Sequence, residues 1–213
     1  MINSNERGKM ANHVFNNVTI THENPEELTK LRDYLSAWST SEEDVAEFVS
    51  YLLNKKVLIQ DLNRENITEA IGAKWMTVED IDLTDNDISL QCVTAWGPCI
   101  EMAQNLEEKG FIIRDMTYTD EMPNFLGAYS TEDGDSYIDG TDLTECVETA
   151  IENQEKIRDD GDKHFDSPEE FAEAVYEDAT NQMTEKFGEL VESLQPNVEY
   201  EIERMVEYEL ENK

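Results

Sequence analysis

An excess of carboxylates limits how this chain can fold more than any other feature of its sequence. Its 213 residues include 50 Asp plus Glu but only 16 Lys plus Arg, which gives a formal net charge of -34. Like charges at this density repel one another, so a compact state requires enough buried apolar surface to outweigh the repulsion. Because 38% of the residues are hydrophobic and 8% are aromatic, we expect a folded chain.

The sign of the charge also excludes two classes of partner. Proteins bind nucleic acid and anionic membranes through clustered Lys and Arg, and this chain has few of either. It contains no run of about 20 apolar residues that could span a membrane, and its N-terminus lacks the apolar core of a secretory signal. We therefore expect a cytoplasmic protein with a basic partner; a homodimer is also compatible with the sequence.

The N-terminal part predicts an α+β fold. Residues 1–11 are polar and are predicted to be a disordered leader, whereas β-branched residues from His13 to Thr21 predict a strand. Asn24-Pro25 is typical of the N-cap and first turn of a helix, and Ser41 begins a second helix near 41–54. Further predicted elements are strands at 78–83, 88–96, 111–118 and 124–130 and a helix between Gly97 and Gly110. Residues 55–76 give no clear pattern.

The order of these elements is strand, helix, strand, strand, helix, strand. This order predicts a ferredoxin-like split βαβ sheet domain over residues 12–130, with the helix near 41–54 as an insertion.

The C-terminal part, residues 131–213, differs in charge and in pattern. It carries a net charge of -21, against -13 for residues 1–130. Its acids alternate with apolar residues at spacings of three and four, which predicts helices that pack together. We expect helices at 142–158, 167–194 and 198–210, so the domain is followed by an appended acidic α-helical region.

Short motifs in the first part resemble a known family. They are Asn12-His13-Val14, Ala73-Lys74-Trp75, Thr94-Ala95-Trp96-Gly97-Pro98 and Phe125-Leu126-Gly127. Together they are similar to the YubB ferredoxin-like family of plasmid and phage proteins, over residues 12–130 only. Two features depart from the family: Cys99 replaces the second of its two usual prolines, and the helix from Ser41 to Leu53 is extra. The resemblance implies a ferredoxin-like fold and a mobile genetic element, most often a bacteriophage, and it carries no established activity.

Two acidic tracts have the carboxylate density of a calcium site. They run from Glu132 to Asp142 and from Asp159 to Asp166. Ile138 stands where an EF-hand loop requires glycine, and no glutamate follows at the twelfth position. We therefore expect no bound metal, and interpret the first tract as a turn before a helix and the second as a solvated linker.

No catalytic constellation stands out, so we expect a protein that is not an enzyme and that binds no cofactor. His13, His22 and His164 are scattered along the chain, and no glycine-rich phosphate loop is present. Chance pairs of Asp and Glu are unavoidable at this acid content and therefore have no diagnostic value.

The cysteines and tryptophans are interpreted as core residues. Cys92, Cys99 and Cys146 are odd in number and lack CxxC spacing, which favours buried free thiols over disulfides or zinc ligands. A reactive thiol at Cys99, at the start of a helix, is a lesser alternative. For Trp75 and Trp96 core packing is favoured over a ligand pocket, and Trp38 ends a helical apolar stripe.

The acidic helices carry the leading functional hypothesis. Carboxylates held on rigid helices can occupy the groove of a nucleic-acid-binding protein. With the family resemblance, this predicts a phage-encoded acidic inhibitor that mimics nucleic acid and binds a basic host protein of a defence or DNA-processing system. The predicted contact residues are Glu169, Glu170, Glu173, Glu177, Asp178, Glu185, Glu189 and Glu192.

Three other interpretations stay open. The acids can serve only as a solvated face or as an adaptation to salt. A small-molecule or nucleotide-binding module, with a cleft between the sheet and the appended helices, is the main alternative function. A phage enzyme with an unusual carboxylate site is the third class, and it requires a divalent metal.

Overall fold

The computed structural model describes residues 12–122, 124–161 and 164–211. The predicted leader, residues 1–11, lies outside the described residues. The strands are β1 (His13–Thr21), β2 (Met76–Leu83), β3 (Asp87–Ala95), β4 (Ile112–Asp120), β5 (Phe125–Ser130) and β6 (Gly134–Asp139). The helices are α1 (Pro25–Ala37), α2 (Glu42–Leu52), α3 (Arg64–Ile71), α4 (Ile100–Glu107), α5 (Gly140–Asp159), α6 (Pro168–Phe187), α7 (Glu189–Ser193) and α8 (Gln195–Glu211). A short 3-10 turn spans Ile59–Asp61.

The strands form one six-stranded sheet in the order β2-β3-β1-β4-β5-β6. Strand β1 pairs antiparallel with both β3 and β4, and β2 pairs antiparallel with β3. The β1–β3 ladder is unbroken from His13 opposite Ala95 to Thr21 opposite Asp87. The predicted α+β class is therefore confirmed. None of the helices in the described ranges is long and apolar enough to cross a membrane.

Two compact units make up the chain. The first comprises Met1–Met122 and Ala128–Asp135, and the second comprises Pro123–Gly127 and Ser136–Lys213. We call them the first unit and the second unit. The helix predicted near 41–54 is α2 of the first unit, and the helices of the acidic region, α5 to α8, belong to the second.

The core of the first unit lies on one face of its strands. Val14, Val18 and Ile20 of β1 are buried, whereas Phe15 between them is half exposed. This alternation follows from the two-residue period of a strand. The indole of Trp38 is buried as predicted and donates a hydrogen bond from Nε1 to the Met76 carbonyl oxygen at 2.9 Å.

Local signals placed several helix ends correctly. The Asn24 side chain accepts a hydrogen bond from the Glu26 amide at 3.0 Å, so it caps α1 as predicted. Ser41 caps α2 in the same way. After α4 the backbone at Gly110 adopts a φ of 86°, and the next amide, of Phe111, donates to the Leu106 carbonyl. This pattern is the glycine closure expected at that position.

The second unit is built on packed helices. Helix α6 packs on α5, and α8 packs on both. Their apolar faces follow the predicted spacings of three and four residues. Buried residues of the three helices include Leu143, Val147, Ile151, Val175, Met183, Val198, Ile202 and Val206.

Four predictions were wrong or incomplete. The helix expected over 167–194 is interrupted at Gly188, where φ is 51° and ψ is -123°, so α6 and α7 are separate. The last helix begins at Gln195 rather than at residue 198. Residues 134–139 form β6, not a turn. The unassigned segment 55–76 contains α3, capped by Asn63.

Candidate functional site

The predicted contact acids fall on two consecutive helices of the second unit. Six lie on α6, and two, Glu189 and Glu192, lie on α7. The side chains of Glu169, Glu173, Glu177 and Glu185 are exposed, as are both acids of α7. The spacing therefore identified a solvent-facing carboxylate surface, which we define by these six exposed residues and call the acidic face.

Asp178 is a structural residue rather than part of the acidic face. Its Oδ2 accepts hydrogen bonds from Asn153 at 3.2 Å and from Gln154 at 3.3 Å, both on α5. Its Oδ1 accepts a third from Gln182 of α6 at 3.1 Å. The carboxylate thus holds α5 against α6, and a partner that used it would have to displace these amides.

Glu170 also has a structural role, because it takes part in hydrogen bonds at the start of α6. Ser167 is the N-cap, and its hydroxyl accepts a hydrogen bond from the Glu170 amide at 3.2 Å. The Glu170 carboxylate in turn accepts from the Asp166 amide at 2.8 Å. This reciprocal arrangement resembles a capping box. Glu169 stays exposed in the same turn, where hydrogen bonds from its own amide and from the Ser167 hydroxyl lower its pKa.

Lys186 is the single basic residue in the sequence of α6. Its Nζ lies 2.7 Å from Oδ1 of Asp142 and 3.5 Å from Oε2 of Glu145, both on α5. The hydrogen bond to Asp142 raises the pKa of Lys186. Because this cation is surrounded by two carboxylates of the neighbouring helix, it does not offset the charge of the acidic face.

A shallow groove runs between α5 and α6 beside the acidic face. Its volume is about 660 Å³. The polar side chains that line it are Asn153, Gln154, Lys156, Asp160, Glu177, Asp178 and Asn181. Glu177 and Asp178 are among the predicted contact acids, but the sequence did not point to Asp160 or to the amides, because only the pairing of α5 with α6 brings these side chains together.

Two carboxylates of the acidic tract between β5 and α5 accept hydrogen bonds from other residues of the protein. Asp139 caps α5 and accepts hydrogen bonds from the amide and hydroxyl of Thr141, which lower its pKa. Asp135 accepts from the Tyr118 hydroxyl at 2.7 Å. Within the described ranges, no three His, Cys, Asp or Glu side chains form a group that could hold a metal ion.

The three histidines lie apart. His13 contacts Glu121, with 2.7 Å between Nδ1 and Oε2. His22 accepts a hydrogen bond from the Asn24 amide, and the exposed His164 lies 3.7 Å from Asp166.

The cysteines are buried, as predicted. The sulfur atoms of Cys92 and Cys99 lie 3.9 Å apart. The hydrogen bond to Cys99 and burial raise the pKa of Cys92 well above its usual value.

The tryptophan predictions were only partly right. Trp38 is in the core, but the Trp96 side chain is 57% exposed and Trp75 is only half-buried. The backbone of Trp96 has a φ of 75°, which no sequence pattern signals at a tryptophan.

Comparison with known proteins returns no relative: no family model, no curated protein and no solved structure matches this chain.

Proposed function

We propose that this chain is a phage-encoded acidic inhibitor that binds a basic host protein and acts as a nucleic-acid mimic. Its target is a nucleic-acid-binding protein of a host defence or DNA-processing system, in the host cytoplasm. The observation that carries the proposal is the acidic face: six exposed carboxylates on α6 and α7, with Lys186 as the single base of those helices and already paired. This chain binds its partner and catalyses no reaction.

Rigidity makes such a face a suitable substitute for a phosphate backbone. Glu173 and Glu177 lie one helical turn apart on α6, a spacing of about 6 Å between Cβ atoms. Phosphates on one strand of a duplex succeed one another every 3.4 Å or so along its axis. A basic groove that follows phosphates can therefore meet several of these carboxylates at once, and the net charge of -34 accelerates the encounter.

We assign the first four strands to a ferredoxin-like arrangement and the chain to the YubB family. The supporting observation is the order β2-β3-β1-β4 within the sheet, with α1 to α3 between β1 and β2 and with α4 between β3 and β4. In a split βαβ unit the first two strands are separated by the third, as β3 separates β1 from β2 here. This assignment supplies the phage context of the proposal.

The α5–α6 groove supports a second candidate, a small-molecule or nucleotide-binding module. Its volume of about 660 Å³ falls in the range of ligand pockets. Asn153, Gln154 and Asn181 offer both donors and acceptors to a polar ligand. Glu177 and Asp178 would repel a phosphate, so a neutral or cationic ligand fits better than a nucleotide.

The test is capture of host proteins by the full chain and by two charge-matched variants. The first variant is Glu173→Gln with Glu177→Gln and Glu185→Gln, which removes three charges from the acidic face. The second is Glu79→Gln with Asp80→Asn and Asp82→Asn, which removes three exposed charges from β2. Captured proteins are eluted with duplex DNA, so that only those using a nucleic-acid-binding surface are released.

The proposal expects a captured nucleic-acid-binding protein that DNA displaces. Because three charge contacts are lost, the captured protein should bind the α6 variant at least tenfold more weakly than the wild type. Its affinity for the β2 variant should stay within about twofold of the wild-type value. An equal loss of affinity in both variants would mean that the acidic face contributes only to the net charge of the protein and is not a specific binding surface. If no DNA-displaceable protein is captured and a small molecule raises the melting temperature of the full chain, the groove function replaces the proposed one.

A further inference from the structure

Four residues form a row across one end of the sheet in the first unit. The Ala95 amide donates to the Trp75 carbonyl at 3.2 Å, and Ala95 stands opposite His13 in the β1–β3 ladder. On the other side the Glu121 amide donates to the His13 carbonyl at 2.8 Å. Trp75, Ala95, His13 and Glu121 are therefore neighbours in that order, on four adjacent strand ends.

Side-chain contacts hold this row in place. The His13 ring meets the Trp75 ring edge-on, with 5.5 Å between centroids. Its Nδ1 lies 2.7 Å from Oε2 of Glu121. Both members of the His13–Glu121 pair remain accessible, with 40% and 50% of their side chains exposed. Ala95, which lies between His13 and Trp75 in the row, is buried, and the two rings form an aromatic surface with a carboxylate at its edge.

Trp96 follows Ala95 and places a large aromatic ring in solvent. Its φ of 75° lies in the left-handed region, which residues other than glycine seldom adopt because this backbone conformation costs free energy. Hydrogen bonds fix this turn: the Trp96 amide donates to the Asn12 carbonyl at 3.0 Å, and the Thr94 hydroxyl donates to the Gly97 carbonyl at 2.7 Å. The fold therefore maintains a strained backbone at a tryptophan that is 57% exposed.

We infer that Trp96 and the row beside it bind the guanidinium group of an arginine on a protein partner. A guanidinium stacks on an indole face and donates hydrogen bonds to a carboxylate, and the row offers both kinds of group. Complementarity of charge selects this occupant, because the chain carries a net charge of -34 and Glu121 lies at the edge of the surface. The site is distinct from the acidic face, which lies in the second unit.

Three motifs that are far apart in the sequence meet here. His13 begins β1 and Asn12 precedes it, Trp75 precedes β2, and Trp96 follows β3. The sequence interpretation placed both tryptophans in the core, and the exposure of Trp96 reverses that assignment. A binding role accounts for an exposed ring at a strained position, which packing alone does not.

The test uses the indole N–H signals of the three tryptophans, observed by NMR in the full chain. Trp38 is 5% exposed and serves as the internal reference. The probe is N-acetyl-arginine N-methylamide, and the matched neutral probe is the citrulline analogue, which has the same shape without the charge. Adenosine is the third probe, because a nucleobase would stack on the ring without needing Glu121.

We expect the arginine probe to shift the Trp96 signal with saturation at millimolar concentration and to leave Trp38 unchanged. The citrulline analogue should bind at least fivefold more weakly. Glu121→Gln should weaken arginine binding at least threefold, whereas Glu79→Gln, which changes an exposed residue of β2, should leave it unchanged. The Trp75 signal should shift over the same range of concentration as that of Trp96. Trp96→Gly should abolish this shift of Trp75 and keep the fold, because glycine adopts the same φ without strain.

Several results would overturn the inference. They are equal shifts of all three indoles, equal binding of the citrulline analogue, an unchanged affinity in Glu121→Gln, or a response to adenosine alone. None of these variants alters the second unit. Failure of this site would therefore leave the capture experiment on the acidic face unaffected, and failure of that experiment would not affect this one.

Discussion

The amide oxygen of Asn16 accepts a hydrogen bond from the backbone amide of Cys99 at 3.1 Å, and thereby joins strand β1 to the start of α4. The Asn16 side chain is 2% exposed. Its Nδ2 atom donates to the carbonyl oxygens of Val14 and Cys92 and to the hydroxyl of Thr94. One buried amide thus satisfies backbone groups that water cannot reach, where the turn at Trp96 leads into the helix.

Asn16→Ala should lower the free energy of unfolding by about 2 to 4 kcal/mol, because it leaves several buried polar groups without partners. Urea unfolding followed by circular dichroism measures the change. Asn17→Ala is the matched control, because Asn17 is the next residue of β1 and is exposed. Its effect should stay within about 0.5 kcal/mol. Similar values for the two variants would mean that the Asn16 hydrogen bonds contribute little.

Gly188→Ala distinguishes the interrupted helix from the continuous one that the sequence predicted. At φ 51° and ψ -123° an alanine is strained, although its Cβ would meet no atom within 4 Å. The structure therefore predicts that backbone strain alone lowers the free energy of unfolding by about 1 to 3 kcal/mol. A continuous helix over 167–194 predicts the opposite sign, a gain of about 1 kcal/mol, because glycine is a poor residue inside a helix. Urea unfolding of the variant and the wild type measures whether the free energy of unfolding falls or rises.

Helix starts were predictable because their signals are local. Asn24, Ser41 and Ser167 each accept a hydrogen bond from an amide two or three residues later, and such a bond depends on neighbouring residues alone. The spacing of the acids on α6 likewise predicted the acidic face. The fold class followed from the order of the elements.

Features that depend on tertiary contacts were not predictable. Strand β6 has one buried residue, Ile138, and the other five are exposed or half-buried, so its sequence shows no alternation of apolar and polar residues. The role of Asp178 requires Asn153 and Gln154 from another helix. The left-handed turn at the exposed Trp96 is held by a hydrogen bond to the carbonyl of Asn12, which is far away in the sequence.

Tyr129 should ionise at unusually high pH. Its hydroxyl donates to Oε1 of Glu107 at 2.9 Å, and burial together with this hydrogen bond raises the pKa of Tyr129 to about 12. Because the raised pKa favours the neutral phenol in the folded state, this interaction stabilises the protein fully below about pH 10. Its contribution falls as the pH rises from 10 towards 12.

Absorbance at 295 nm in a pH titration measures this ionisation. The difference between the wild type and Tyr129→Phe isolates one phenol, whose midpoint should be near 12. The stabilities of the two proteins should converge as the pH approaches that value. A midpoint near 10 would show that neither burial nor the Glu107 hydrogen bond acts on this phenol in solution.

Salt should stabilise this protein. Raising NaCl from 0.01 to 1 M shortens the screening length from about 30 to 3 Å, which weakens the repulsion among 50 acids more than the attraction of its few exposed ion pairs. A gain of about 2 kcal/mol corresponds to a rise of roughly 4 to 8 °C in melting temperature. The variant with Gln at 173, 177 and 185 should melt higher than the wild type at 0.01 M and respond less to salt. A melting temperature that falls with NaCl would show instead that ion pairs, such as those of Lys55 and Lys186, contribute more to stability than the repulsion among the acids costs.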